Sequence, residues 1–296
     1  MVILLVFLAL VGVPISGKAD DWQKSLHAFE AVGMNIFIPV TVTGANGRSR
    51  TVDFILDSGT NRTTIDPSVA ADLNLLPYHY SQNVTASGSS VRYTTRISQL
   101  CSFSQCSKDL EVLVDDLSLF TNGYKRPVAG MLAMDFLEKY ILLIDFQNSR
   151  IGFLPGDTPL EAFGNAKAMD LISVKGFVLI PAVLPNGQTV KLILDTGYDS
   201  FVDALLYESA VGKLVFTQSR TSVLSDVNGS SATPIGTIDS LELGGMRFAP
   251  ALIQLSPQIP AGMSDWGQAG LVGMFALGNN VIAVDYPKLK LLVLDR

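Results

Sequence analysis

Histidine, cysteine and charge are all scarce in this chain of 296 residues. The two histidines, His27 and His79, lie in unrelated sequence contexts. The sequence therefore shows no obvious set of residues for a metal site or for a Ser-His-Asp triad. We therefore predict no metal and no cofactor. The scarcity of imidazole excludes most hydrolase mechanisms that depend on it and directs attention to carboxylates.

Charged residues make up only 16% of the chain, the formal net charge is -6, and no cluster of Lys and Arg is visible. Because phosphate contacts require clustered basic side chains, a nucleic-acid partner is excluded. Apolar residues reach 48%, with 25 glycines and 14 prolines, which is typical of many short strands joined by turns. The length suits two domains of ordinary size. The prediction is an all-β chain with two lobes.

An apolar run, Val2 to Val13, opens the chain and is followed by small residues, and no later uncharged apolar segment reaches about 18 residues. This run predicts a signal peptide over residues 1–19 and an exported protein, periplasmic or secreted. An uncleaved membrane anchor is the alternative, and no other membrane association is predicted. In an exported chain the only cysteines, Cys101 and Cys106, are expected to form a local disulfide, since zinc needs more ligands.

A repeated motif is the strongest signal in the sequence. The first half contains Phe-Ile-Leu-Asp-Ser-Gly-Thr at residues 54–60, and the second contains Leu-Ile-Leu-Asp-Thr-Gly-Tyr at residues 192–198. The two aspartates, Asp57 and Asp195, hold the same place in the two copies. Upstream of each lies another apolar segment and an Asn-Gly turn, which predicts that each aspartate follows the second strand of a β-hairpin.

The repeat continues downstream in the same order and at nearly the same spacing in both halves. Residues 130–134 match residues 270–274, and residues 143–146 match residues 283–286. A turn-rich connector precedes the second half, so we predict an N-terminal lobe over residues 20–158 and a C-terminal lobe over residues 159–296. Two lobes of one plan, related by approximate two-fold symmetry, would bring both carboxylates to their interface.

Each half also carries a small-residue turn, centred on Gly88 in the first and Gly229 in the second, at a similar distance after its aspartate. Because β-forming residues flank these turns, Gly88 and Gly229 are candidate tips of two mobile hairpins, or flaps, over the cleft. Ordinary surface hairpins are the alternative for each turn alone. Their parallel placement favours flaps.

These residues resemble the pepsin and retropepsin superfamily of aspartic peptidases, and the compact halves are most similar to the retropepsin-like bacterial peptidases in a fused, single-chain form. The resemblance implies two similar all-β lobes with the active site at their interface. It also implies that Asp57 and Asp195 hold a catalytic water, that Ser58 and Thr196 interlock the two loops, and that the glycines after them permit tight turns.

Two positions depart from the family pattern. After Gly59 and Gly197, the pepsin branch often carries a hydroxyl residue that bonds the aspartate; Thr60 fits this pattern and Tyr198 does not. In the second motif, Gly273 keeps the family's glycine, whereas Ala133 replaces it in the first lobe.

The resemblance implies an aspartic endopeptidase, with an extended polypeptide substrate lying between the lobes of a monomer that is an internal pseudo-dimer. The two carboxyls are expected to share one proton, with the roles of acid and base exchangeable. A catalytically inactive binding or inhibitory protein of the same fold is the alternative.

Other aspartates are expected to be structural. Asp145 and Asp285 are predicted at paired strand positions, and Asp115 and Asp116 in a loop that faces solvent.

Overall fold

The computed structural model describes residues 21–85, 88–226, 229–257, 259 and 267–294. The predicted signal peptide, residues 1–19, lies outside these ranges. In the first half the strands are β1 (His27–Ala28), β2 (Glu30–Val32), β3 (Asn35–Gly44), β4 (Ser49–Leu56), β5 (Thr64–Ile65), β6 (His79–Thr85), β7 (Gly88–Ser102), β8 (Gln105–Val114), β9 (Gly130–Leu132), β10 (Tyr140–Asp145) and β11 (Arg150–Pro155). The helices of this half are α1 (Pro67–Asp72), α2 (Ser118–Tyr124) and α3 (Met134–Leu137), with a 3-10 helix at Asp21–Ser25.

The second half repeats this order after a 3-10 helix at Leu160–Phe163. Its strands are β12 (Lys167–Asp170), β13 (Ile172–Val174), β14 (Phe177–Val183), β15 (Thr189–Leu194), β16 (Ala204–Tyr207), β17 (Thr217–Asp226), β18 (Gly229–Ile238), β19 (Leu241–Leu243), β20 (Met246–Phe248), β21 (Ala251–Ser256), β22 (Gln268–Val272), β23 (Val281–Asp285) and β24 (Lys290–Leu294). Its helices are α4 (Glu208–Val211) and α5 (Met274–Leu277). The predicted all-β chain with two similarly built halves is confirmed.

Each lobe is built around its own sheet. In the first, the strand order is β2-β3-β4-β9-β5-β8-β7-β6, and β3 also pairs with β7, so the sheet closes on itself. In the second, the order is β17-β18-β21-β16-β22-β15-β14-β19-β20, with β13 beside β14. Burial along β3 alternates, with Val40 and Val42 fully buried and Thr41 and Thr43 partly exposed, as expected of a half-buried strand. Burying each valine contributes about 1.5–3 kcal/mol.

A third sheet contains strands of both halves, in the order β1-β11-β10-β23-β24-β12. At its centre β10 and β23 run antiparallel, and Leu143 faces Ala283, its own counterpart in the repeat. The approximate two-fold axis therefore passes through this pair, and the two lobes share one sheet. The predicted boundary at residue 158 falls between β11 and the 3-10 helix that follows, and it stays a prediction.

Both predicted hairpins are present. β3 and β4 are joined through a turn containing Gly47, and β14 and β15 through one containing Gly187; both glycines have positive φ, of 78° and 81°. Strands β4 and β15 therefore end directly before Asp57 and Asp195.

The second repeated motif forms the strand beside each of these. β9 runs parallel to β4, and β22 runs parallel to β15. The amide of Asp57 donates to the Leu132 carbonyl and that of Asp195 to the Val272 carbonyl, both at 2.9 Å. In both halves the second motif therefore fixes the backbone of the aspartate.

Cys101 and Cys106 form the predicted disulfide, between facing residues of β7 and β8 one pair before their turn. A helix with the length and hydrophobicity needed to cross a membrane does not occur in the part of the chain that the structure describes.

Candidate active site

Asp57 and Asp195 lie at the floor of a cleft between the lobes, a cavity of about 690 Å³ that both residues line. A cavity of this size is ample for several side chains of a bound molecule. Each aspartate lies against the glycine of the opposite lobe. A Cβ atom placed on Gly59 would lie 2.3 Å from Asp195 Cγ, and one placed on Gly197 would lie 2.8 Å from Asp57 Cγ. Only glycine therefore permits the two carboxyls to approach, and the structure brings the predicted pair together.

The two turns are tied by reciprocal hydrogen bonds. The Ser58 amide donates to Thr196 Oγ1 and the Thr196 amide donates to Ser58 Oγ, both at 3.0 Å. Each hydroxyl in turn donates across the interface, Ser58 to the Leu194 carbonyl at 2.7 Å and Thr196 to the Leu56 carbonyl at 2.9 Å. Both side chains are buried, so these bonds form away from water and fix one turn relative to the other.

Burial is the main cause that raises the pKa of both aspartates above the ordinary value. The negative charge of Asp195 raises the pKa of Asp57 further. Backbone amides oppose the shift: Gly59 donates to Asp57 Oδ1 at 2.9 Å and Gly197 donates to Asp195 Oδ1 at 2.8 Å. Two adjacent carboxyls that resist ionisation can hold one proton between them, so one can act as an acid and the other as a base.

The residue after each glycine supports its aspartate through the backbone. The amides of Thr60 and Tyr198 hydrogen-bond Asp57 and Asp195, respectively, and lower their pKa. This support does not require a side-chain hydroxyl, so Tyr198 supplies it as well as Thr60 does.

The Tyr198 side chain is turned into its own lobe, where its hydroxyl donates to Gln254 Oε1 and Gln254 Nε2 donates to Thr233 Oγ1. Its ring also explains Gly273, since a Cβ there would lie 3.1 Å from Tyr198 Cδ1. Ala133 is fully buried in the first lobe, where its amide donates to Thr63 Oγ1 at 3.2 Å. Neither departure from the family pattern disturbs the bonds between the two turns.

Apolar side chains line both walls of the cleft. The first lobe contributes Ile55, Leu119, Phe120, Tyr124 and Met131, and the second contributes Leu205, Tyr207, Val223 and Leu271.

The prediction that Asp115 faces solvent is wrong. Its carboxylate pairs with Arg92 Nε at 2.8 Å, the two side chains are only 11% and 14% exposed, and both line the cleft. Asp115 directly follows β8, and its amide still donates to the Ile65 carbonyl of β5, so it continues the sheet. Burial raises the pKa of its carboxyl, and Arg92 opposes that shift. Asp116 is exposed, as predicted.

Asp145 and Asp285 end β10 and β23 and accept hydrogen bonds from the turns that follow, from Asn148 and Lys288 respectively. These contacts fit the structural role predicted for them.

Gly88 and Gly229 are the first residues of β7 and β18 and face Thr85 and Asp226 across two hairpins. The two residues between the strands of each hairpin lie outside the described residues. Arg92 of the first hairpin and Val223 of the second line the cleft, so both hairpins border it. Their action as flaps stays a prediction.

Within the ranges that the structure describes, no group of three or more His, Cys, Asp and Glu side chains is arranged to hold a metal ion.

Residues 38–136 match the family model of aspartyl proteases. The matched residues lie in the first lobe, which is therefore similar to an aspartyl protease domain. The match spans about a third of the chain and includes Asp57, its turn and the motif at residues 130–134. The expected resemblance to the aspartic peptidase superfamily is confirmed, and so is the expected fold. No curated protein matches the chain at a significant level of similarity.

Proposed function

We propose that this protein is an aspartic endopeptidase that hydrolyses peptide bonds through a water held between Asp57 and Asp195. The observation that carries the proposal is the approach of the two carboxyls across the glycines of opposite lobes, at the floor of an open cleft. The similarity of the first lobe to an aspartyl protease domain supports a hydrolase at the level of the family.

A peptide bond is a weak electrophile and water a weak nucleophile, so hydrolysis needs a base and an acid together. The ionised carboxyl of the pair takes a proton from the water while the protonated one donates to the carbonyl oxygen. The apparent pKa values belong to the pair, so the proton is assigned to neither aspartate. Both raised pKa values support a pair that keeps one proton.

The substrate is an extended polypeptide whose backbone pairs with the hairpins that border the cleft. Apolar walls on both lobes support a preference for apolar side chains on the two sides of the cleaved bond. The disulfide is compatible with an extracellular location, and export as a monomer is part of the same proposal.

The test is incubation of the purified protein with a diverse peptide library at several pH values, with cleavage sites read by mass spectrometry. Cleavage between apolar residues is expected. Absence of cleavage at every pH would favour the inactive binding or inhibitory protein.

A further inference from the structure

The buried side chain of Gln254, in β21, holds the residues that follow the turn of Asp195. Its Oε1 atom accepts hydrogen bonds from the Tyr198 hydroxyl and from Ser200 Oγ, the latter at 3.3 Å. Tyr198 directly follows Gly197, whose amide donates to Asp195 Oδ1 at 2.8 Å. A contact that fixes Tyr198 therefore also limits the movement of the turn of Asp195.

The same carboxamide reaches the second hairpin, which β17 and β18 form. Gln254 Nε2 donates to Thr233 Oγ1, and Thr233 is buried as well. Thr233 of β18 pairs with Ser222 of β17, and Ser222 and its neighbour Val223 line the cleft. One side chain thus joins the hairpin that borders the cleft to the turn that carries Asp195. We call the contacts of Tyr198, Gln254 and Thr233 the glutamine bridge.

The first lobe has a leucine at the corresponding position. Strand β8 lies between β5 and β7 as β21 lies between β16 and β18, and Leu113 holds in β8 the register position that Gln254 holds in β21. A leucine side chain cannot form a hydrogen bond, so Leu113 cannot join the first hairpin to the turn of Asp57. That hairpin is held by the ion pair of Arg92 with Asp115 instead.

The Tyr198 side chain that enters the glutamine bridge also requires space beside the turn. A Cβ on Gly273 would lie 3.0 Å from the Tyr198 carbonyl oxygen and 3.1 Å from Tyr198 Cδ1. In the first lobe Thr60 and Ala133 stand at these two positions. The large side chain and the glycine that makes room for it therefore occur together, in the lobe that has the bridge.

We propose that Gln254 is a positioning residue that couples the second hairpin to the turn of Asp195, so that a substrate in contact with this hairpin stabilises the productive arrangement of the two aspartates. The proposal deepens the proposed function and rests on it for its kinetic consequence, whereas the coupling between hairpin and turn is tested without it. Binding energy from parts of the substrate distant from the cleaved bond then raises kcat.

The kinetic test uses a peptide that the wild type cleaves, and the same peptide shortened by one or two residues at either end. In wild type, removal of the residues that contact the second hairpin should lower kcat roughly 10-fold. Gln254→Leu introduces the residue of the first lobe and should already show this lowered kcat on the full peptide. The same shortening should then raise KM with little further change in kcat.

Two further variants each break one arm of the glutamine bridge and keep the shape of the side chain. Tyr198→Phe and Thr233→Val should each reproduce the kinetics of Gln254→Leu, and they carry the test if Gln254→Leu does not fold. Their double variant should be little worse than the worse single one, because both changes break one bridge. Tyr140→Phe is the matched control, since its buried hydroxyl donates to the Cys106 carbonyl outside the cleft, and it should keep kcat.

Amide hydrogen exchange tests the coupling without activity. In Gln254→Leu, Tyr198→Phe and Thr233→Val, residues 195–200 and residues 217–223 should both exchange several-fold faster than in wild type or Tyr140→Phe, because the bridge opposes local opening of both segments. Residues 57–62 of the first lobe should keep their rates.

Faster exchange in only one of the two segments, or equally faster exchange at residues 57–62, would overturn the coupling. Wild-type kcat in Gln254→Leu, or the same loss of kcat on shortening in this variant as in wild type, would also overturn it. A wild type that cleaves no peptide, combined with the expected exchange pattern in the variants, would overturn the peptidase and keep the coupling between hairpin and turn.

Discussion

The two lobes hold their aspartates in the same way but support them with different chemistry. In the first lobe Thr63 donates to Asp135 from its amide at 2.9 Å and from its hydroxyl at 2.6 Å. At the corresponding positions of the second lobe, Phe201 and Phe275 stand edge to face with 6.1 Å between ring centres. An aromatic pair thus takes the place of a polar pair beside the catalytic turn.

The cleft walls differ in the same manner. The first lobe places the ion pair of Arg92 and Asp115 there. The second lobe places there the uncharged Tyr198 and Gln254, which are hydrogen-bonded to each other, and Gln254 also donates to Thr233 behind the wall. What stays common to both lobes is the aspartate, the glycine, the hydroxyl of the turn and the shared sheet. We infer that the proposed hydrolysis depends on these common parts, whereas the side-chain packing around them can differ between the lobes.

The largest expected effect is a loss of turnover when the glycine of a catalytic turn, which is common to both lobes, is replaced. Gly59→Ala should lower turnover more than about 100-fold, because the new methyl would displace Asp195. Gly197→Ala should be milder, since its Cβ would lie 2.8 Å from Asp57 Cγ instead of 2.3 Å from Asp195 Cγ. Peptide turnover measures both. Gly123→Ala is the steric control, because a Cβ there meets nothing within 4 Å. Wild-type turnover in Gly59→Ala would contradict the close approach.

Removing one interaction partner at the cleft wall should cost more stability in the first lobe than in the second. Arg92→Met leaves the buried Asp115 without its counter-charge and should lower the free energy of unfolding by about 3–5 kcal/mol. Thr233→Val in the second lobe removes one neutral partner of Gln254 and should cost about 1–3 kcal/mol. Urea unfolding at neutral pH measures the difference. Equal losses would show that the ion pair is not buried as described.

The loss of stability should differ less between the polar pair and the aromatic pair beside the catalytic turns. Asp135→Ala leaves the amide and hydroxyl of Thr63 without their acceptor and should cost about 1–3 kcal/mol. Phe201→Ala removes a half-exposed ring from its partner and should cost about 0.5–1.5 kcal/mol. Thermal unfolding measures the loss of stability in both variants. A larger loss in Phe201→Ala than in Asp135→Ala would contradict this prediction.

A gain in stability that depends on pH is expected when one carboxyl of the common pair is replaced. Because the pKa of Asp57 is raised on folding, its contribution is present below the ordinary aspartate value of 3.8 and is lost as pH rises through the folded value. Asp57→Asn, which cannot ionise, should therefore match wild type near about pH 4 and exceed it by about 1 kcal/mol or more near neutrality. Unfolding temperatures across this range measure the effect. A variant less stable than wild type at neutral pH would contradict the raised pKa.

Local patterns were sufficient to predict the common parts. Each aspartate turn is marked by three apolar residues, an aspartate and a glycine, and the Asn-Gly turns place the hairpins before them. The disulfide followed from spacing and context. The supporting contacts could not be predicted, because their partners are distant and belong to no motif: Arg92 meets Asp115, and Tyr198 meets Gln254, only after the sheets form.

The central claim is that Asp57 and Asp195 act on one water, and the most direct measurement is turnover of wild type, Asp57→Asn, Asp195→Asn and the double variant on one peptide. Each single change should abolish most activity and the double variant should be little worse, because the remaining carboxyl cannot serve as acid and base together. Circular dichroism should show all four proteins folded. Full activity in either single variant, or about half the activity in each, would contradict the shared water.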